Sequence, residues 1–172
     1  MNDLMESILS FSRQDISNFK PFDCCELLER INRRFQNKYQ KNKIVSHFIC
    51  KLQDSIVIGA IQSIDQVFTN IINNSIDAMA EEGGELSIQI SKKKDSSDFL
   101  EIKIADTGHG IPEEIKEKMF EPFVSGRERG TGLGLAITKR IIKAHGGTIG
   151  VESYTSGTIF TIALKFAAKE NK

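Results

Sequence analysis

Cysteine is scarce in this chain, and what there is does not pair by pattern. The three residues, Cys24, Cys25 and Cys50, are odd in number and two are adjacent. Neither a disulfide framework nor a zinc-ligand spacing is spelled out. The expectation is free thiols, buried or half-buried, in a reducing compartment. An excess of one charge is also lacking. Twenty-three basic residues meet twenty-three acidic ones, which excludes a global pull toward nucleic acid or an anionic membrane. No apolar run approaches the roughly 18–20 residues that span a bilayer. The opening MNDLMESILS carries no basic n-region and no cleavage site, so no signal peptide is expected. The expected setting is cytoplasmic, without membrane contact by this chain. Internal repeats are absent.

What is present is an ordinary globular composition. With 172 residues and 40% of them hydrophobic, the chain can bury one substantial core. Residues 1–20 read as a helix end and a linker. Leu4, Ile8 and Phe11 fall on one helical stripe, with Met5 and Leu9 beside them, ahead of a break at Pro21. The stripe either folds back on the domain or belongs to a dimerisation helix. A helix so short is marginal alone, since the threshold is ~12–15 residues, so weak self-association is the most expected of it.

A helix is predicted from Asp23, where Asp23 and Glu26 resemble a capping box and Leu27, Leu28, Ile31 and Phe35 form the buried face. Asn37–Lys43 reads as a polar turn. Strands are predicted at Ile44–Cys50 and Ile56–Ile58, then a helix from Ser63 to Ala80 that stops at Gly83-Gly84. Glu85–Ser91 and Phe99–Ala105 alternate as strands around a KKKDSSD tip. A short helix starts at Pro112, a longer one spans Gly132–His145, and Thr148–Ser153 pairs with Thr158–Lys165. The predicted fold is α+β: a two-layer α/β sandwich, with one mixed, mostly antiparallel sheet and helices on one face.

Glycine is the informative residue. Six of the thirteen glycines lie between residues 108 and 134. Glycines clustered in loops let backbone N–H groups approach an anion closely. Asp106 ends an apolar strand and opens Asp-Thr-Gly-His-Gly. A carboxylate there can accept a hydrogen bond from the exocyclic amine of adenine. Guanine would present a carbonyl oxygen to the same acceptor, and an unpaired buried group costs about 1–3 kcal/mol. Gly108 and Gly110 would let the loop lie flat against a base; a plain strand-closing turn is the alternative. Asn70 and Asn74 share a helix face, with Asn73 and Asp77 in a second polar row. Asparagine weakens a helix interior, and an amide oxygen suits magnesium when a triphosphate and water complete its octahedron; a solvated face is the alternative.

Residues 124–135 carry Ser125, Arg127 and Arg129 and then GTGLGL, which opens a helix. Loop amides plus a helix N-terminus make an anion site, and Arg127 or Arg129 can reach phosphate oxygens. The pattern is neither a Rossmann fingerprint nor a Walker loop, since G-x-G-x-x-G fails at Leu135 and no Gly-Lys-Ser/Thr follows. Thr158 opens the last strand, either as a pocket contact or as an ordinary hairpin residue.

In this order and spacing the motifs resemble those of the catalytic, ATP-binding domain of sensor histidine kinases, in the GHKL superfamily with its Bergerat-type fold. QVFTNIINNSIDAM resembles the N box and IADTGHGIP the first glycine box. MFEPFVSG resembles the F box, RGTGLGLAITKRIIKAHGGTIGVES the second glycine box, and SGTIFTIAL the closing strand. The resemblance covers residues 21–166. It implies ATP and Mg2+ as cofactors, Asn74 on the metal and Asp106 on adenine. It implies nucleotide contacts by Asn70, Asn74, Asp77, Gly108, Gly110, Ile111, Phe123, Gly130, Thr131, Gly132, Leu133, Gly134, Leu135 and Thr158. Asn70, Asn74 and Arg127 become the catalytic candidates, with Arg127 on the γ-phosphate.

The chain also departs from the pattern. Short-lid relatives often carry Thr-Thr-Lys where Ser125, Gly126 and Arg127 stand, and many carry a basic and an aromatic residue where Asp77 and Ala78 stand. None of His47, His109 and His145 has the setting of a phosphoacceptor. Residues 1–20 are therefore expected as the end of a dimerisation and phosphotransfer hairpin, and 21–172 as the ATP-binding domain, in a fragment of a longer kinase. The implied partners are that hairpin, in trans or in a homodimeric parent, and the receiver domain of a response regulator. A GHKL ATPase, an anti-sigma-type serine kinase and a binding-only ATP module are the competing readings.

Overall fold

The computed structural model describes residues 18–96, 98–125 and 130–168. The stripe at Leu4, Ile8 and Phe11 lies outside the described residues, as does Arg127. Among the described residues seven strands and five helices follow in order: β1 (Lys20–Asp23), α1 (Cys24–Arg34), α2 (Gln36–Lys41), β2 (Ile44–Cys50), β3 (Ile56–Gly59), α3 (Ile61–Ala78), β4 (Gly84–Lys92), β5 (Phe99–Asp106), α4 (Glu113–Lys116), α5 (Gly134–Ala144), β6 (Thr148–Tyr154) and β7 (Gly157–Lys165).

The main sheet has the order β2-β4-β5-β7-β6. Only β2 and β4 run parallel; β4–β5, β5–β7 and β6–β7 are antiparallel. The alternation read from the sequence sets which face is covered. Leu86, Ile88, Ile90, Leu100, Ile102 and Ile104 are fully buried beneath the helices, while Glu85, Gln89 and Lys103 point to the open face. The architecture is thus the expected α+β sandwich. A second, two-stranded sheet was not expected: β1 pairs with β3. Pro21 lies inside β1 opposite Ile58 instead of breaking the chain. An edge strand tolerates it because the missing N–H faces no partner.

Helix α3 shows why the layer forms. Ile64, Val67, Phe68, Ile71, Ile72 and Ile76 are at most 2% exposed and recur at three- and four-residue spacing, one continuous apolar stripe. α1 starts as expected: Asp23 Oδ1 accepts from the Glu26 N–H at 2.9 Å. The expected turn at Asn37–Lys43 is instead helix α2 through Lys41. Tyr39, 1% exposed, anchors it in the core, and Lys38 Nζ donates to Asn73 Oδ1 at 2.7 Å. Tertiary burial of one aromatic outweighs a polar local sequence.

The cysteines also differ from expectation. Cys25 and Cys50 are joined in a disulfide, with Cα atoms 6.2 Å apart. Adjacent residues on a helix point roughly 100° apart, so Cys25 reaches the end of β2 while Cys24 enters the core. Burial, with the Asp23 charge adding, pushes the Cys24 thiol up to about 12, which leaves it inert.

Beside the two-stranded sheet, His145 ties α5 to α3. Its Nε2 accepts from the Ala60 N–H at 3.0 Å and its Nδ1 contacts the Ile141 carbonyl at 2.8 Å. Only the neutral ring with the proton on Nδ1 satisfies both. Phe19 stacks on it with centroids 4.5 Å apart. Burial lowers the His145 pKa below its ordinary 6.5, although the Ile141 contact works the other way. The unfolded chain therefore takes up the proton first as pH falls. Stability should be full above about pH 6.5 and decline below it. Urea titrations from pH 7.5 to 5 should show that decline in the wild type and a flatter profile in His145→Gln; an equal decline in both would refute the assignment.

Candidate functional site, a cleft closed by two glycine loops

A cleft of about 290 Å3 opens between the second half of α3, the loop after β5 and the start of α5. Asp106 lies in it as the last residue of β5 and is only 6% exposed. Its Oδ1 accepts from the Gly108 N–H at 3.1 Å and the Thr158 N–H at 3.2 Å. Its Oδ2 accepts from Ser75 Oγ at 2.8 Å. Burial raises the carboxyl above the usual carboxylate value; the bonds from Ser75, Gly108 and Thr158 and the nearby His109 oppose that rise. An ionised carboxylate has about four acceptor positions. Three are used inside the protein, which leaves capacity for one donor in the cleft.

The loop after Asp106 is clamped at both ends. A Cβ on Gly108 would come within 2.7 Å of the Ala78 carbonyl oxygen, and the His109 N–H already donates to that oxygen at 3.3 Å. A Cβ on Gly110 would run into the Tyr154 carbonyl. The Ile111 N–H donates to Ser153 Oγ at 2.7 Å. Together these contacts press the loop against the end of α3 and the end of β6, and fix one wall of the cleft.

The other wall is the start of α5. The helix begins at Gly134, two residues later than expected, and Leu133 at its cap makes no side-chain capping bond. First-turn amides that no side chain caps, beside the glycines of a loop, suit an anion. Asn70 Nδ2 donates to the Gly134 carbonyl at 3.1 Å, and the Phe123 N–H donates to the Gly132 carbonyl at 3.0 Å.

Most residues singled out by sequence meet here. Asp106, Gly110, Ile111 and Thr158 line the cleft, as do Asn74 of α3 and Gly130, Thr131, Gly132, Gly134 and Leu135 at the start of α5. Five do not line it. Asn70 acts on the Gly134 backbone. Gly108 sits beneath the loop against Ala78. Leu133, 1% exposed, belongs to the core because it caps a helix whose apolar side faces inward. Phe123, 69% exposed, turns outward at a positive φ of 67°. Asp77 is exposed at the end of α3. Sequence reasoning missed Ser75, His109, Met119 and Phe160. Ser75 carried a signal: it stands four residues after Ile71, on the buried stripe, where a hydroxyl needs a partner.

A two-layer sandwich with an acid at a strand end, a clamped glycine loop and an uncapped helix start defines an ATP-binding domain of the Bergerat type. The histidine kinase-, DNA gyrase B-, and HSP90-like ATPase family matches residues 59–168, and the chain belongs to this family, as a catalytic domain of the sensor histidine kinase type. It is 32% identical to a sensory histidine kinase/phosphatase NtrB of Rhodobacter capsulatus over 97% of this chain and 49% of that protein. It is 32% identical to sporulation kinase C of Bacillus subtilis over 94% of this chain and 37% of that protein. The chain thus spans half or less of the length of these kinases. Among solved structures, the catalytic domain of histidine kinase ThkA superposes with a TM-score of 0.77 at 32% identity, over 86% of this chain and 95% of that one. ThkA bound to the response regulator TrrA gives 0.80 at 28% identity, over 99% of this chain and 48% of that one. No helix among the described residues is long and apolar enough to cross a membrane.

Proposed function

We propose that this domain binds Mg-ATP and passes the γ-phosphate to a histidine on a helical hairpin outside the described residues, for onward transfer to an aspartate of a response regulator. The observation that carries the reading is Asp106, a buried carboxylate with three internal donors and room for one more in the cleft. That donor would be the exocyclic amine of adenine. Thr158 and the clamped loop at Gly110 and Ile111 would bound the base, and the amides from Gly130 to Gly134 would face the phosphates. The kinases similar to this chain, and the ThkA complex with its response regulator, support the choice of partners.

The cleft suits a metal-bound triphosphate because a neutral amide, Asn74, lines it together with the glycines at the start of α5. An amide oxygen is a hard donor, which matches magnesium. Magnesium, when bound, neutralises charge on the phosphate oxygens. The protein's own part is positioning. Asn70 holds the Gly134 carbonyl, and Arg127 would meet the γ-phosphate from outside the described segments. The bond from the γ-phosphorus to the bridging oxygen breaks as one to an imidazole nitrogen forms, and ADP leaves.

Related ATPases place a glutamate base where Asn70 stands, and a positioned base contributes about 10²–10⁴-fold. With Mg-ATP alone the domain should hydrolyse very slowly. With a phosphoacceptor hairpin supplied in trans, label from [γ-32P]ATP should appear on its histidine as an acid-labile, base-stable adduct. Hydrolysis at several turnovers per second, or no label on the hairpin, would reject the proposal. The first outcome would favour a hydrolase and the second a binding-only module.

A further inference from the structure

Ser75 is 1% exposed, in the apolar stripe of α3. Its hydroxyl donates to Asp106 Oδ2, while the backbone donors Gly108 and Thr158 both serve Oδ1. The two oxygens are therefore held from different elements: Oδ1 by the loop after β5 and by the start of β7, Oδ2 by α3. Asn74, which lines the cleft, is the residue just before Ser75. One turn of α3 thus reaches both the cleft and the acid behind it.

We propose that Ser75 is a positioning residue for base selection: its hydroxyl fixes the rotation of the Asp106 carboxylate and keeps it an acceptor, so that the cleft takes an adenine nucleotide over a guanine one. The inference rests on the adenine reading of the cleft and deepens it. Without the hydroxyl, a buried carboxylate oxygen loses its only side-chain donor among the described residues. The group then either turns toward the cleft for water or takes up a proton. A protonated acid is a donor. It clashes with the amine of adenine and matches the carbonyl of guanine.

The surroundings isolate this effect. α3 contributes Ser75, β4 contributes Leu86 opposite Asp106, and β7 contributes Thr158; none of these ionises. The titratable neighbour is His109, on the loop after β5, whose charge favours the ionised acid. Burial already raises the carboxyl, and Ser75 is first among the groups that oppose the rise. Removal of Ser75 should therefore move the titration of Asp106 upward, toward neutral pH.

The test has two arms. In the nucleotide-free domain, carbon-13 NMR of the side-chain carboxyls would follow Asp106, with its signal assigned by loss in Asp106→Asn. Wild type and Ser75→Ala would be titrated, and both repeated in a His109→Gln background. Ser75→Ala should raise the midpoint by about one pH unit or more, since a hydrogen bond to a charged group is worth ~1.5–3 kcal/mol. Ser75→Cys, a weak donor of similar size, should fall between. In the second arm, calorimetry with Mg-ATP and Mg-GTP at neutral pH should show the ATP preference falling about tenfold in Ser75→Ala, and ATP affinity should be lost at a higher pH than in wild type as the solution is acidified. An unchanged midpoint overturns the hold on Asp106. A raised midpoint with an unchanged ATP-to-GTP ratio overturns the role in base selection. A wild type that binds neither nucleotide while the midpoint still moves sinks the adenine reading, and with it the selection, yet leaves the contact to Asp106 standing.

Discussion

Asp106→Asn should leave a folded domain that has lost its grip on ATP. The amide oxygen can still accept from the Gly108 and Thr158 N–H groups, 3.1 and 3.2 Å away in the wild type. Its NH2 group can meet the Ser75 hydroxyl, which has lone pairs to offer. The remaining N–H then points into the cleft, where a lone pair was. Toward adenine this sets a donor against a donor. The loss combines one hydrogen bond to a charged group with the penalty for an unpaired buried group, about 2–4 kcal/mol together. ATP affinity should drop roughly 30- to 1,000-fold, and GTP should bind as well as ATP or better. Calorimetry with both nucleotides reads the ratio, and a urea melt checks that the fold is intact. An Asp106→Asn domain that binds ATP as the wild type does would remove the acid from the pocket's chemistry.

Gly157→Ala should be the most destabilising of the glycine substitutions in the β6–β7 region, and it should damage the cleft as well. Gly157 opens β7 at a φ of +145°, and a Cβ there would strike the backbone carbonyl of Asp106. The neighbour is main chain in the β5–β7 ladder, so it cannot swing aside. Two controls separate the causes. Gly146, at a φ of +66°, has nothing within 4 Å of an added Cβ. Gly146→Ala thus costs only the left-handed backbone, about 1–2 kcal/mol. Gly150 has the same open space in β6, with no such backbone demand, so Gly150→Ala should stay near neutral. Gly157→Ala adds a clash of ~1–3 kcal/mol to the backbone cost. A loss of roughly 2–5 kcal/mol is a large share of the ~5–15 kcal/mol that holds a domain together. Guanidinium melts should rank the three Gly150, Gly146, Gly157 in rising damage. Gly157→Ala should also weaken ATP, because β5 must shift at Asp106 itself. If Gly157→Ala melts with Gly146→Ala, the close approach of β5 and β7 is softer than the geometry says.

The site was legible where chemistry is written in adjacent residues. Asp106, Gly110, Thr131 and Gly134 sit in motifs whose spacing carries their meaning, and all line the cleft. Residues beside them in the same motifs were less legible. Leu133 and Leu135 look alike in GTGLGL, yet Leu133 is buried in the core and Leu135 lines the cleft. Which one turns inward depends on where α5 starts, and at that start Asn70 reaches the Gly134 carbonyl from another helix. Ser75 was harder to read: its place on the buried stripe called for a partner, but that partner, Asp106, lies 31 residues away in the chain.

By itself the sequence settled the elements and their order, except for strand β1 and helix α2. Period-2 and period-3.6 runs of isoleucine, leucine and phenylalanine choose strand or helix within a few residues, and a glycine or aspartate at the boundary ends or caps them. Those are local forces. Tertiary structure alone decided what depends on the meeting of distant segments: the pairing of Cys25 with Cys50, the small sheet of β1 and β3, the helix that Tyr39 anchors, and the three donors that converge on Asp106 from residues 75, 108 and 158. A buried charge is stable only when it is surrounded by donors, and no stretch of chain this short can surround a group by itself.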